Sequence, residues 1–152
     1  MPQGDVIFFD QWLVDSMEAK QDHELGVFFI GLVTNVEVPA VTTTDPRWGA
    51  GGTTNFKTTE CTPGGNYVAD GASLANPSVT LSGGAAEIDW DDPATWAQHA
   101  SNPTDATWGI IYNNQAAKEC VGYVDLGGAF NMTTGDLTIT FGAPAASLNQ
   151  AP

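Results

Sequence analysis

The side chains of this chain that could do chemistry are few and scattered. Its histidines are His23 and His99, and its cysteines are Cys61 and Cys120. A thiol or hydroxyl nucleophile needs a base held beside it, and neither a nucleophile elbow nor a Cys-His family signature supplies that adjacency. No catalytic residue is expected. The cysteines are also too few and too far apart for a disulfide framework or a zinc site, so they read as buried free thiols, with a long-loop bridge as the alternative. Asp89, Asp91 and Asp92 could offer hard oxygens to Ca²⁺, but the run lacks the glycine spacing and closing glutamate of a calcium loop. It reads as a solvated acidic loop. Gly49-Ala50-Gly51-Gly52 has the look of a phosphate cradle without the Lys-Ser/Thr pair that would follow one, and reads as loop. No metal and no cofactor are expected.

Aromatic residues are the other resource. Five Trp and three Tyr on a β scaffold could stack sugars. Trp90, however, falls on the apolar side of an alternating segment and Trp108 opens an apolar one, so both read as core. Trp48 sits among glycines with no core-facing period, which leaves it either packed locally or buried against a neighbouring molecule. The expected protein–protein interface therefore combines Arg47, Trp48 and Phe56 with Phe9, Trp12 and Leu13.

The elements that would position these residues follow from periodicity. Val6, Phe9, Leu13 and Met17 recur at spacings of three and four, which predicts an amphipathic helix over residues 5–21, opened by Asp5 and closed by Lys20. Its apolar stripe should pack on the chain's own core; left exposed, it would be an assembly surface. Residues 25–33 form a nearly continuous apolar run, the mark of a strand buried on both faces. From 36 to 60 Thr, Pro and Gly dominate, predicting a long loop or arm.

Beyond residue 64, turn residues recur at short intervals, and 17 glycines with 9 prolines leave little room for long helices. Ala86, Ile88 and Trp90 alternate with Glu87 and Asp89. Segments 66–68, 79–81, 106–112, 120–126 and 137–141 read as further strands, the last entered through a hairpin turn at Thr134-Gly135-Asp136. Residues 143–152 read as a flexible tail. The expected fold is mainly β: one domain over residues 1–152, an antiparallel sandwich or jelly roll whose β core spans 25–33 and 64–142, with one N-terminal helix.

Charge narrows the partners. Four basic residues against 18 acidic ones give a net charge of −14, so phosphate backbones and anionic membranes should be repelled. No apolar run approaches the ~20 residues of a membrane-spanning helix. No basic segment precedes the first apolar stretch, so synthesis in a cytoplasm is expected. Hydrophobic residues at 42% against 14% charged exclude the composition of disorder.

An ordered series of segments resembles small accessory virion proteins of tailed bacteriophages. It runs through Gly64-Gly65-Asn66-Tyr67, Leu74-Ala75-Asn76, Trp90-Asp91-Asp92-Pro93 with Trp96, Ala106 to Asn113, Val121 to Gly127 and Gly135 to Phe141. The resemblance spans roughly residues 60–141 and lies in order and spacing, since each dipeptide alone marks turns in many β proteins. It fades between Val38 and Thr59. What it implies is a non-enzymatic particle component of the capsid decoration, or cement, type. Such a protein would bind the major capsid protein and stabilise the head, often as a homotrimer. A chain at −14 lining the interior would face packaged DNA, so the capsid exterior is the expected location. A tail or head-fibre component binding host glycan through an exposed Trp is the alternative.

Overall fold

In the computed structural model, which describes residues 5–115 and 117–149, the apolar run becomes strand rather than helix because β-branched and aromatic residues crowd it. The elements in chain order are β1 (Val6–Phe8), α1 (Asp10–Met17), β2 (Phe28–Val33), β3 (Pro46–Arg47), β4 (Thr54–Asn55) and a 3-10 turn at Phe56–Thr59. They continue with β5 (Ala72–Leu74), β6 (Ser78–Ser82), β7 (Ala85–Asp89), β8 (Ala106–Asn113), β9 (Cys120–Phe130) and β10 (Ala146–Asn149). The protein is mainly β and sandwich-like, as its patterning predicts.

A five-stranded antiparallel sheet, β1-β9-β8-β2-β5, forms the centre. Alternation sorts its side chains. Phe28, Ile30 and Leu32 of β2 share one face with Ile111 and Val124, where a second antiparallel sheet, β10-β7-β6, brings Ile88 and Trp90 onto them. Leu137, Ile139 and Phe141 complete this core. Val33, Ile110, Tyr112, Cys120 and Tyr123 point to the opposite face, where Trp48, Phe56 and Phe9 cover them. The central sheet thus has a core on both sides, which is why β2 and β8 read as continuous rather than alternating runs.

Several expectations are corrected. The helix does not span 5–21. Val6–Phe8 instead pair with Val124, Tyr123 and Gly122 of β9, and α1 occupies only Asp10–Met17. Its inward side chains are Trp12 and Asp15, whereas Leu13 and Met17 of the predicted stripe point out. Both faces carry apolar residues, and the larger indole, with a hydrogen-bond partner inside, takes the core.

The segment 36–60 is a long loop that folds back over the second core, with β3, β4 and the 3-10 turn within it. The segment 137–141 keeps its alternation, with Leu137, Ile139 and Phe141 buried and Thr138 and Thr140 exposed, yet among the described residues forms only one bridge, Trp96 to Leu137. No hairpin precedes it, because β9 runs on to Phe130 and the side chain of Asn131 accepts the Thr133 N–H to turn the chain. Segment 66–68 likewise makes a single bridge among the described residues, Gly64 to Tyr67.

The predicted flexible tail contains β10, which pairs along β7 from Ala146↔Ile88 to Asn149↔Ala85. Residues 150–152 of that tail lie outside the described residues.

Candidate functional site

Most of the residues expected at an interface are spent inside the chain. Trp48 is fully buried, its ring stacked on Tyr112 at 4.8 Å and 7°. Its Nε1 donates to Asp70 Oδ1 at 2.8 Å. Gly31 makes this possible: a Cβ there would come within 2.3 Å of the indole, so only glycine lets the ring lie on β2. Local packing, not a neighbour, satisfies Trp48, and it offers no exposed face to a sugar. Phe56 stacks beside Phe9 at 5.9 Å, and Phe9 meets Tyr123 at 5.3 Å, all three buried. Arg47 bridges Asp45 at 2.8 Å and Glu119 at 3.1 Å and donates to the Ala117 carbonyl, which ties the arm to the entry of β9.

Trp12 donates through Nε1 to His23 Nε2 at 2.8 Å. This accepting nitrogen must be unprotonated, so neutral His23 carries its proton on Nδ1, which is buried without a partner among the described residues. Burial lowers the His23 pKa to about 4, with Asp22 opposing. His99 is exposed and accepts the Ser101 N–H. Among the described hydrogen bonds and ring contacts neither histidine meets a cysteine. Cys61 and Cys120 are free and buried in the two different cores, on opposite faces of the sheet. Burial pushes the Cys61 thiol up to about 12, helped by Asp105 and Glu60, and raises Cys120 well above its ordinary value.

The acidic run does more than meet solvent. Asp89 Oδ1 accepts from the Trp90 and Ala145 backbones, and Asp92 Oδ1 accepts from Phe141 at 2.7 Å, fastening residues 141–145 to the second sheet. Asp91 accepts from the Asn76 amide. Among the described residues no group of three or more His, Cys, Asp or Glu could hold a metal ion.

Sequence reading missed the junction around Asp70. Its side chain accepts from Trp48 and Lys57, and its carbonyl accepts from the Tyr112 hydroxyl at 2.8 Å. Glu60 Oε1 accepts from both the Tyr67 hydroxyl and the Asp70 N–H, and that hydroxyl accepts from Leu32 N–H.

Part of what stays exposed is apolar. Leu13 is 45% exposed and Met17, one turn along, is 90% exposed, with Val14 between them. Leu13 shares a cleft of about 190 Å³ with Phe8, Trp12 and Leu148. Across the second sheet Leu81, Ala86 and Leu148 stand in one row, because Leu81 pairs with Ala86 and Ala86 with Leu148. Directly paired residues point to the same side. This row is therefore on the core-facing side of the sheet, yet Leu81 is 82% exposed. The three-stranded sheet overhangs the core, and its inner face continues into the outer face of α1.

The fold defines a β-sandwich-like protein with an uncovered apolar face. Comparison with protein-family models, with curated proteins and with solved structures finds no match.

Proposed function

We propose that this chain is a non-enzymatic structural component of a tailed-phage particle, a decoration protein that binds the major capsid protein on the outer surface of the head. The observation that carries this reading is the outward stripe of α1, Leu13 and Met17, continuous with the overhanging Leu81–Leu148 row. Contiguous apolar surface of this kind marks an assembly site on a folded protein. The ordered resemblance over residues 60–141 supplies the particle, and the charge of −14 favours the side away from DNA. Of the six residues expected at the contact, Leu13 is the exposed apolar one on this surface, with Phe9 and Trp12 lining the cleft beside it and Met17 one turn along.

The test is binding to capsids stripped of the protein. A Met17→Asp, Leu81→Asp double variant should unfold at the wild-type temperature, since both side chains face solvent, and should fail to sediment with the shells. Full binding by the double variant would sink the proposed contact, and cryo-EM density confined to the tail would sink the location.

A further inference from the structure

A groove of about 460 Å³ opens on the central sheet, sharing no described residue with the apolar face, with Trp108, Asp125, Asn35, Gly127 and Gly128 in its wall. A break in the ladder builds it. Trp108 pairs with Asp125 and Ala106 with Phe130, so one residue of β8, Thr107, stands opposite four of β9, Leu126 to Ala129. Such bulges re-aim side chains and recur beside binding sites. The excursion turns through Gly127 and Gly128 at φ +80° and +117°, backbone that L side chains rarely adopt. Asp125 Oδ1 accepts the Gly127 N–H at 2.8 Å and pins the loop, while Oδ2 makes no hydrogen bond among the described residues. The Asn35 amide, in the exposed turn after β2, makes none either. The wall therefore holds one half-buried indole flanked by a free carboxylate oxygen and a free amide.

Those three groups select a ligand class. Among the described residues no Lys, Arg or His lines the groove, and a chain at −14 attracts no anion. A quaternary ammonium group is held by a cage of several aromatic side chains, and among the described residues one, Trp108, lines this wall. A neutral polyhydroxylated ring fits: it offers a C–H face to an aromatic plane and hydroxyls that both donate and accept. We propose that this groove is a saccharide-binding site, in which Trp108 stacks on a sugar ring while Asp125 accepts from its hydroxyls and Asn35 donates to them. This site is separate from the capsid-binding face and stands or falls independently of it.

The direct experiment is titration of the ¹⁵N-labelled chain with glucose, galactose, mannose and N-acetylglucosamine, followed by a glycan array with the same protein. Saturable shifts should appear at the Trp108 indole N–H and the Gly127 and Gly128 amides. Trp108→Ala should weaken binding about tenfold or more. Asn35→Ala, an exposed substitution that leaves the thermal midpoint unchanged, should weaken it several-fold, which keeps the test informative if Trp108→Ala unfolds. Absence of saturable shifts with all four sugars and of array binding would overturn the proposal. So would shifts mapping elsewhere, or binding of choline or spermidine in place of sugars.

Discussion

At the scale of single residues, Trp48 shows how one side chain can organise a segment. Burial of a large apolar side chain contributes roughly 1.5–3 kcal/mol, and the indole adds its bond to Asp70 and the stack on Tyr112. Trp48→Ala should therefore lower stability by about 3–5 kcal/mol in urea titration, as aromatic deletions in cores do. A loss under about 1 kcal/mol would mean that the arm is not a structural part of the second core.

His23 predicts a pH dependence. Its folded pKa of about 4 lies below the ordinary 6.5, so the unfolded chain binds the proton first as pH falls. The associated stability is complete above about 6.5 and is lost progressively between 6.5 and 4, with a slope of at most about 1.4 kcal/mol per pH unit. His23→Gln, which keeps an acceptor for Trp12 and cannot ionise, should flatten that part of the profile measured by denaturant unfolding. An unchanged slope would assign the dependence to the carboxylates.

At the scale of elements, β10 decides whether the second sheet has two strands or three. Without residues 143–152, β7 would lose the partner along one edge, and Asp89 would lose the Ala145 N–H. Two-stranded ribbons are marginal alone and cross-strand pairs contribute roughly 0.2–1 kcal/mol each, so truncation after Gly142 should cost about 2 kcal/mol. For a chain of this size that corresponds to a fall of roughly 4–8 °C in the thermal midpoint by calorimetry. An unchanged midpoint would show that β10 adds nothing to the sheet. The same element supplies Leu148 to the exposed row, so truncation should also weaken attachment to shells.

At the scale of the whole molecule, the charge of −14 opposes any association of copies, while the exposed apolar row favours it. Screening acts on the first and not on the second: the Debye length falls from about 30 Å at 0.01 M salt to about 8 Å at 0.15 M. Self-association measured by sedimentation should therefore strengthen as salt is added over that range. Weakening with salt would point to contacts made by ion pairs instead.

Much of this was readable from residue order, and the limits are physical. Ala86 to Trp90, 106 to 112 and 120 to 126 declare themselves because alternation or a β-branched, aromatic run is a property of neighbouring residues along the chain. The short boundary between β1 and α1 was not readable, since Val6, Phe9, Leu13 and Met17 keep helical spacing whether or not Val6–Phe8 pair with β9. Nor does periodicity say which apolar side of α1 faces in; that required His23, eleven residues beyond Trp12, to be placed against it.

By itself, the sequence determined a β-rich, acidic chain with few chemically reactive side chains, because composition and period-two patterning are local quantities. The tertiary structure alone decided which aromatics were available. Trp48, Phe56, Phe9 and Trp12 went inside because partners distant in sequence, Gly31, Tyr112, Tyr123 and His23, met them there. Met17 and Leu81 stayed outside because the sheet that carries Leu81 extends past the core it covers. Contacts between residues far apart in the chain are set by the pairing of strands, and no window along the sequence contains them.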